Sequence, residues 1–213
     1  MILLTGFEPF GGDSVNPSWQ AVGGAAALLR GDGLDVETLE LPCVFGESAR
    51  VLEATIDAIH PRIVVAVGLA GGRSRMSLER VAINVDDARI PDNQGNRPID
   101  QDIVRGGPAA YFTTLPIKAA LRNLQIEGIR AEVSQTAGTY VCNHVFYSLM
   151  KTAAGKTGIR AGFIHVPYLP EQVPPGSSVP TMVLDDMVRG ISVVVRTALQ
   201  TTVDEQFAAG AIH

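Results

Sequence analysis

The segment ARVLEATIDAIHPRIVVAVGLAGG, residues 49–72, holds one complete helix-to-strand unit. Ala49, Leu52, Ile56 and Ile59 recur at spacings of three and four, which predicts an amphipathic helix, and Pro61 stops it. Ile63–Val67 is a short unbroken apolar run, the pattern of a strand buried on both faces, and a glycine-rich turn ends it. A helix of this kind feeding such a strand is the building unit of an α/β sheet.

The same alternation extends in both directions. Met1–Thr5 reads as a short buried strand, and Asn16 before Pro17 reads as an N-cap and first-turn proline opening a helix toward Leu29. Leu34, Val36 and Thr38 alternate with Asp35 and Glu37, giving a strand that runs to about Leu41. Downstream, Val81, Ile83 and Val85 alternate as a strand. The stretch from Asp87 to Gly107, rich in Pro, Gly, Asn and Asp, is the longest expected loop. Pro116 opens a helix ending near Gly128, Ile129–Ser134 is a strand, and Val141, Val145 and Leu149 mark a further helix. Gly162–Val166 is the next strand, Pro180 begins a long last helix, and the chain from about residue 204 to His213 is expected to be a frayed tail. The expected fold is a single-domain three-layer α/β/α sandwich over residues 1–213, with a largely parallel, mixed, twisted central sheet.

Composition narrows the function. Of 213 residues, 46% are hydrophobic and 18% charged, which excludes disorder as a description of the whole chain. Seventeen Lys plus Arg against 22 Asp plus Glu give a formal charge of -5, without a basic run. Nucleic acid and anionic membrane are therefore poor partners, since both select concentrated positive charge. The longest apolar run, Ile63–Ala70, falls far short of the roughly 20 residues of a membrane span. Met1–Leu4 has no cationic leader or long apolar core, so a cytoplasmic location is expected, with Cys43 and Cys142 as free thiols. Neither CxxC nor HExxH occurs, and no metal site is expected.

In an open α/β sheet ligands gather where strands end, and four such segments stand out. TGFEPFGG, residues 5–12, sets Phe7 and Phe10 among turn residues; each ring could instead plug the core. VAVGLAGGR, residues 65–73, lacks the Lys-Ser/Thr of a phosphate loop and the spacing of a dinucleotide fingerprint, so close backbone packing explains its glycines better. TAGTYVCNHVFY, residues 136–147, places Cys142 in the first turn of a helix, where the dipole and free amides favour thiolate. GFIHVPYLP, residues 162–170, places His165 in an apolar strand. His144 lies two residues from Cys142 and points elsewhere on the helix, so His165 is the better base. A Cys–His pair needs a third group to orient the imidazole, and Glu79 in SLERVAIN is the most plausible acid, although it could equally be solvated or paired with Arg80. A small buried Cys142 and a core His165 are the structural alternatives.

Taken together these segments resemble the pyroglutamyl peptidase I family, cysteine exopeptidases that remove an amino-terminal pyroglutamyl residue. TGFEPFGG, NPS at 16–18, LERVAIN, DARIPDNQGN at 87–96, GGPAAYF from Gly106, TAGTYVCNHVFY and GFIHVPYLPEQ fall in the family's order and cover about residues 1–172. The resemblance implies Cys142 as nucleophile, His165 as general acid/base and Glu79 as the orienting carboxylate. It also implies Arg89 as support for the site, Phe7 and Phe10 as pocket walls, and Asn16 as a residue holding the pocket. Tyr140, Val141, Leu69 and Ile90 are further implied substrate contacts. Position 140 is Tyr where relatives often have Phe, Cys43 stands where they tend to have Thr or Val, and Leu69 where some have Gln. The implied reaction passes through a thioester, uses no cofactor, and takes peptides with an amino-terminal pyroglutamyl group. A homotetramer is implied as the assembly. The rival readings are a phosphorylase or nucleosidase, whose glycine turns would cradle phosphate, and a catalytically silent small-molecule binding module.

Overall fold

The computed structural model describes residues 1–210, so His213 and the end of the expected tail lie outside the described residues. Along the chain run β1 (Ile2–Phe7), α1 (Pro17–Gly31), β2 (Val36–Leu41), α2 (Glu47–Ile59), β3 (Ile63–Leu69), β4 (Met76–Glu79) and β5 (Val81–Ile83). There follow β6 (Ala110–Phe112), α3 (Ile117–Ile126), β7 (Ala131–Ser134), α4 (Val141–Ala154), β8 (Arg160–Val166) and α5 (Leu184–Gln200). Six strands form one sheet in the order β2-β1-β3-β8-β4-β7. β2, β1, β3 and β8 are mutually parallel; β4 runs antiparallel to β8 and parallel to β7. The sheet is therefore largely parallel with a reversed edge pair, while β5 and β6 form a separate antiparallel ribbon.

Helices cover both faces. Residues of α1, α3 and α5 share one apolar core with alternate residues of β1, β3, β4 and β8, including Leu4, Val65, Leu78 and Ile164. The other core joins α2 and α4 to the opposite faces of β1, β3 and β8 through Leu3, Phe7, Val64 and Phe163. β3 is buried along its whole length, as its unbroken apolar run requires of a central strand. Local signals act as expected: the Asn16 side chain accepts from Ser18 N at 3.1 Å at the start of α1, and α2 ends at His60 in the left-handed region, just before Pro61. Among the described residues no helix is long and apolar enough to cross a membrane.

Several boundaries differ from the sequence expectation. MSLE, residues 76–79, forms a strand of its own that shows no clean alternation, because it lies between β8 and β7 and all four residues are buried. Glu79 thus ends β4 instead of entering the Val81 strand. β6 pairs Val81 with Phe112 and ends β5 at Ile83, before Val85. The last helix begins at Leu184, not at Pro180, because Met182 N donates to Tyr168 O at 2.9 Å and a Tyr168–Thr181 bridge holds that segment extended.

The described part of the tail is anchored, not frayed. The Asp204 carboxylate accepts from the backbone N–H groups of Lys118 (3.1 Å) and Ala119 (2.9 Å), the first turn of α3, which has no side-chain cap of its own. A carboxylate there satisfies orphan amides and complements the helix dipole. Lys118 and Arg122 lie over the Phe207 ring at 5.8 and 5.2 Å. Asp204→Ala is expected to lower unfolding stability by about 1–2 kcal/mol, at the scale of a lost cap, with activity retained; chemical denaturation beside an activity assay checks both.

Candidate active site

β8 lies in the middle of the sheet and carries His165 near its end, where the parallel register sets it beside Gly68 of β3 and the antiparallel register beside Ser77 of β4. Side chains two residues apart on neighbouring strands share a face, so Glu79 reaches His165 diagonally. Its Oε1 stands 2.7 Å from His165 Nδ1, with both groups buried. A carboxylate oxygen can only accept here, so Nδ1 carries the proton and Nε2 is left as the base. Phe163, one position along the same face, backs the imidazole at 4.9 Å between ring centroids.

Glu79 pairs with Arg73, not with Arg80. Arg73 Nη1 donates to Glu79 Oε1 at 2.6 Å and to Ser134 Oγ at 3.3 Å, and Nη2 donates to Thr136 O at 2.8 Å. Glu79 is wholly buried and its Oε2 has no partner among the described residues. A carboxylate so placed needs strong donors on its remaining oxygen, and Oε1 receives two.

Cys142 is the second residue of α4, whose N-cap, Tyr140, makes no side-chain capping bond. The first i→i−4 bond runs from His144 N to Tyr140 O, which leaves the amides of Val141, Cys142 and Asn143 without an intrahelical acceptor. Asn143 fixes this end of the helix: its side chain accepts from Ile83 N at 3.1 Å and donates to the carbonyls of Ile83 and Val85. The sulfur lies against β3 at Gly68, where a Cβ would come within 2.8 Å of Sγ and 2.9 Å of Phe163 Cζ. Gly68 and His165 are register partners, so the sulfur lies over the strand that neighbours His165.

Burial dominates the thiol. It pushes Cys142 well above the usual thiol range, Cys43 and Glu79 add to that, and Arg73 opposes them. The enclosure of the sulfur thus works against the thiolate that the helix terminus favours. Among the described residues Sγ makes no hydrogen bond to His165, and catalytic contacts of this kind tighten when substrate binds. The second thiol, Cys43, is buried and pushed up to about 12, chiefly by burial.

The remaining expected residues fall around this centre. Phe7 is core, buried and packed toward Phe163 at 6.4 Å, while Phe10 is half-buried with its ring 6.0 Å from Tyr140. Phe45, absent from the sequence expectation, meets Tyr140 edge-on at 5.3 Å. Asn16 acts through the backbone, donating to Glu8 O at 3.0 Å. Leu69 and Val141 are buried beside Gly68 and Cys142, and Arg89 and Ile90 are exposed on the 87–107 loop. That loop is tied to its surroundings: Tyr140 Oη donates to Pro91 O at 3.0 Å, Asp92 accepts from Phe45 N at 2.9 Å, and Asn93 Nδ2 donates to Glu8 Oε1 at 2.7 Å. His144 serves structure, with Nδ1 2.8 Å from Asp86 Oδ2 and Nε2 accepting from Gly46 N at 3.0 Å, so neither ring nitrogen is spare. The glycines of residues 65–73 bring protein into contact: Tyr168's ring fills the space at Gly71 as Cys142 and Phe163 fill it at Gly68, which leaves no phosphate cradle at either position.

The family model described as pyroglutamyl peptidase matches residues 1–201. The chain is 50% identical to the pyrrolidone-carboxylate peptidase of Escherichia fergusonii over 212 residues and 53% identical to that of Pseudomonas fluorescens, covering 100% of this chain and 99% of each relative. It is also similar to the crystal structure of pyroglutamyl peptidase I from Bacillus amyloliquefaciens, with a TM-score of 0.88 and 45% identity over 96% of this chain and 98% of that one.

The seat of the sulfur gives a direct test. Gly68→Ala is expected to displace Sγ and lower kcat on the order of 10²-fold, since misplacement by about 1 Å has that effect. The stability loss is expected at about 1–3 kcal/mol, the range of overpacking. Steady-state kinetics beside thermal unfolding separates the two effects.

Proposed function

The chain belongs to the pyroglutamyl peptidase family, and on that premise we propose that it hydrolyses the amide bond after an amino-terminal pyroglutamyl residue, through a thioester on Cys142. One observation carries the assignment of roles: Glu79 holds His165 by Nδ1 at 2.7 Å, while Gly68, the register partner of His165, receives the Cys142 sulfur. As the sulfur attacks the pyroglutamyl carbonyl, Nε2 takes the thiol proton. This coupling suits a thiol whose burial opposes its charged form. The imidazolium then protonates the departing amine and leaves a thioester. Water, losing a proton to the same nitrogen, releases pyroglutamate and restores the thiol.

The uncapped amides at the start of α4 face developing charge on the carbonyl oxygen, each such donor being worth about 3 kcal/mol. Arg89 is a candidate helper from the exposed loop. The pyroglutamyl ring is a neutral lactam, without the amine that ordinary aminopeptidases grip with carboxylates. Flat apolar walls suit it, and the rings of Phe10, Phe45 and Tyr140 supply them beside the nucleophile helix. Phe7 supports the site from the core, and Leu69, Val141 and Ile90 complete the neighbourhood. Hydrogen bonds to the lactam NH and C=O would reject proline far better than apolar fit alone. We further assign residues 1–213 to one domain, working as a cytoplasmic homotetramer on pyroglutamyl peptides.

The test is release of a fluorogenic amine from its pyroglutamyl amide under reducing conditions, beside the prolyl and alanyl amides. Cleavage of the pyroglutamyl compound alone is expected, lost after iodoacetamide modifies Cys142, the more exposed of the two thiols. Cys142→Ala is expected to abolish turnover with the fold intact, and Glu79→Gln to lose less, because an amide still positions the imidazole. Substantial turnover by Cys142→Ala contradicts the scheme.

A further inference from the structure

Glu79 Oε1 serves two donors while Oε2 serves none. The second donor, Arg73, lies on the turn between β3 and β4, and its guanidinium reaches in two directions. Nη1 meets Glu79, and Nη2 meets the carbonyl of Thr136 on the segment that leads from β7 into α4 and Cys142. Ser134 Oγ, itself donating to Thr136 O at 3.1 Å, closes the group from below. One planar cation thus joins the carboxylate that orients the base to the backbone that delivers the nucleophile. A guanidinium can do this because its donors are fixed in a fork, whereas an ammonium is a point charge on a flexible stem.

We propose that Arg73 is a positioning residue for the reaction: its fork fixes Glu79, and through it His165, relative to the Cys142 helix, and its positive charge sets the pH range over which the Cys142–His165 pair works. The proposal rests on the assignment of Cys142, His165 and Glu79 given above. Two interacting groups lose their protons in two steps that belong to the pair, wherever the shared proton resides. A nearby cation favours loss at both steps. Its removal therefore raises both limbs of the pH–rate profile together, while a purely structural loss lowers the rate and leaves the limbs in place. The other titratable groups around the pair are Glu79 on β4, Cys43 before α2, Tyr140 at the start of α4, and Glu8 and Asp92 next to Cys43; of these, only Glu79 loses a bonded partner when Arg73 is replaced.

The experiment measures kcat and KM for a pyroglutamyl amide across pH in the wild type, Arg73→Gln, Arg73→Lys and Cys142→Ala. Arg73→Gln is expected to lower kcat by about 10- to 100-fold with little change in KM, and to move both limbs upward by about one pH unit. Arg73→Lys is expected to keep both limbs in place, because it keeps the charge, while kcat falls about tenfold, because it loses the fork. A Gln variant that keeps both limbs where the wild type has them overturns the proposal, whether its rate falls or not. Should Arg73→Gln fail to fold, the Lys variant decides: a tenfold fall in kcat with unmoved limbs supports the proposal, and a wild-type kcat or displaced limbs overturns it. Turnover surviving in Cys142→Ala overturns the underlying assignment instead, and so distinguishes the two failures.

Discussion

A carboxylate with no exposed surface, at the end of a four-residue strand, is the constraint on which this site depends. Glu79 is tolerated in the sheet interior because one oxygen receives both an imidazole N–H and a guanidinium N–H. Those two bonds set the tautomer of His165 and tie the β3–β4 turn to the segment before α4. The antiparallel insertion of β4 beside β8 makes the contact geometrically possible, since it places Glu79 diagonally across from His165 on the same face. A β4 parallel to β8 would need its own crossover and would not bring this short strand in directly from a turn.

Cys142 reaches the same place by a different route. α4 packs over β3 and β8, and a side chain on β3 would block its first turn; Gly68 removes the block. Asn143 holds the helix start to β5, and the Tyr140 hydroxyl ties it to the 87–107 loop. Close enclosure raises the thiol, chiefly through burial. The long loop, bonded to Glu8, Phe45 and Tyr140, forms part of the wall around the site.

The α/β alternation was legible because helix and buried-strand periods differ strongly over residues such as Ala49–Ile59 and Ile63–Val67. Cys142, His165 and Glu79 stood out as candidates because each is a reactive type at the end or start of an element. β4 was not legible: four residues cannot display a period, and burial on both sides removes alternation. Arg73 looked like the close of a glycine turn, because its partners, Glu79, Ser134 and Thr136, come together only when β4 pairs with β7. Gly68 lies inside an apolar run, where nothing local separates a glycine that admits a sulfur from one that ends a strand. The dipole that favours the thiolate is visible in sequence, while the enclosing atoms that oppose it are not. Asp204 was missed for a related reason, since a cap supplied from 86 residues away leaves no mark beside α3.

The central claim is that Glu79 fixes His165 with Nδ1 protonated and Nε2 free to face the thiol. Long-range proton–nitrogen correlation spectra of the neutral imidazoles in the histidine-labelled protein report this directly. The account predicts a protonated Nδ1 and a bare Nε2 for His165, with His144 showing the same tautomer as an internal reference because Gly46 N–H occupies its Nε2. A bare Nδ1 on neutral His165 would contradict it.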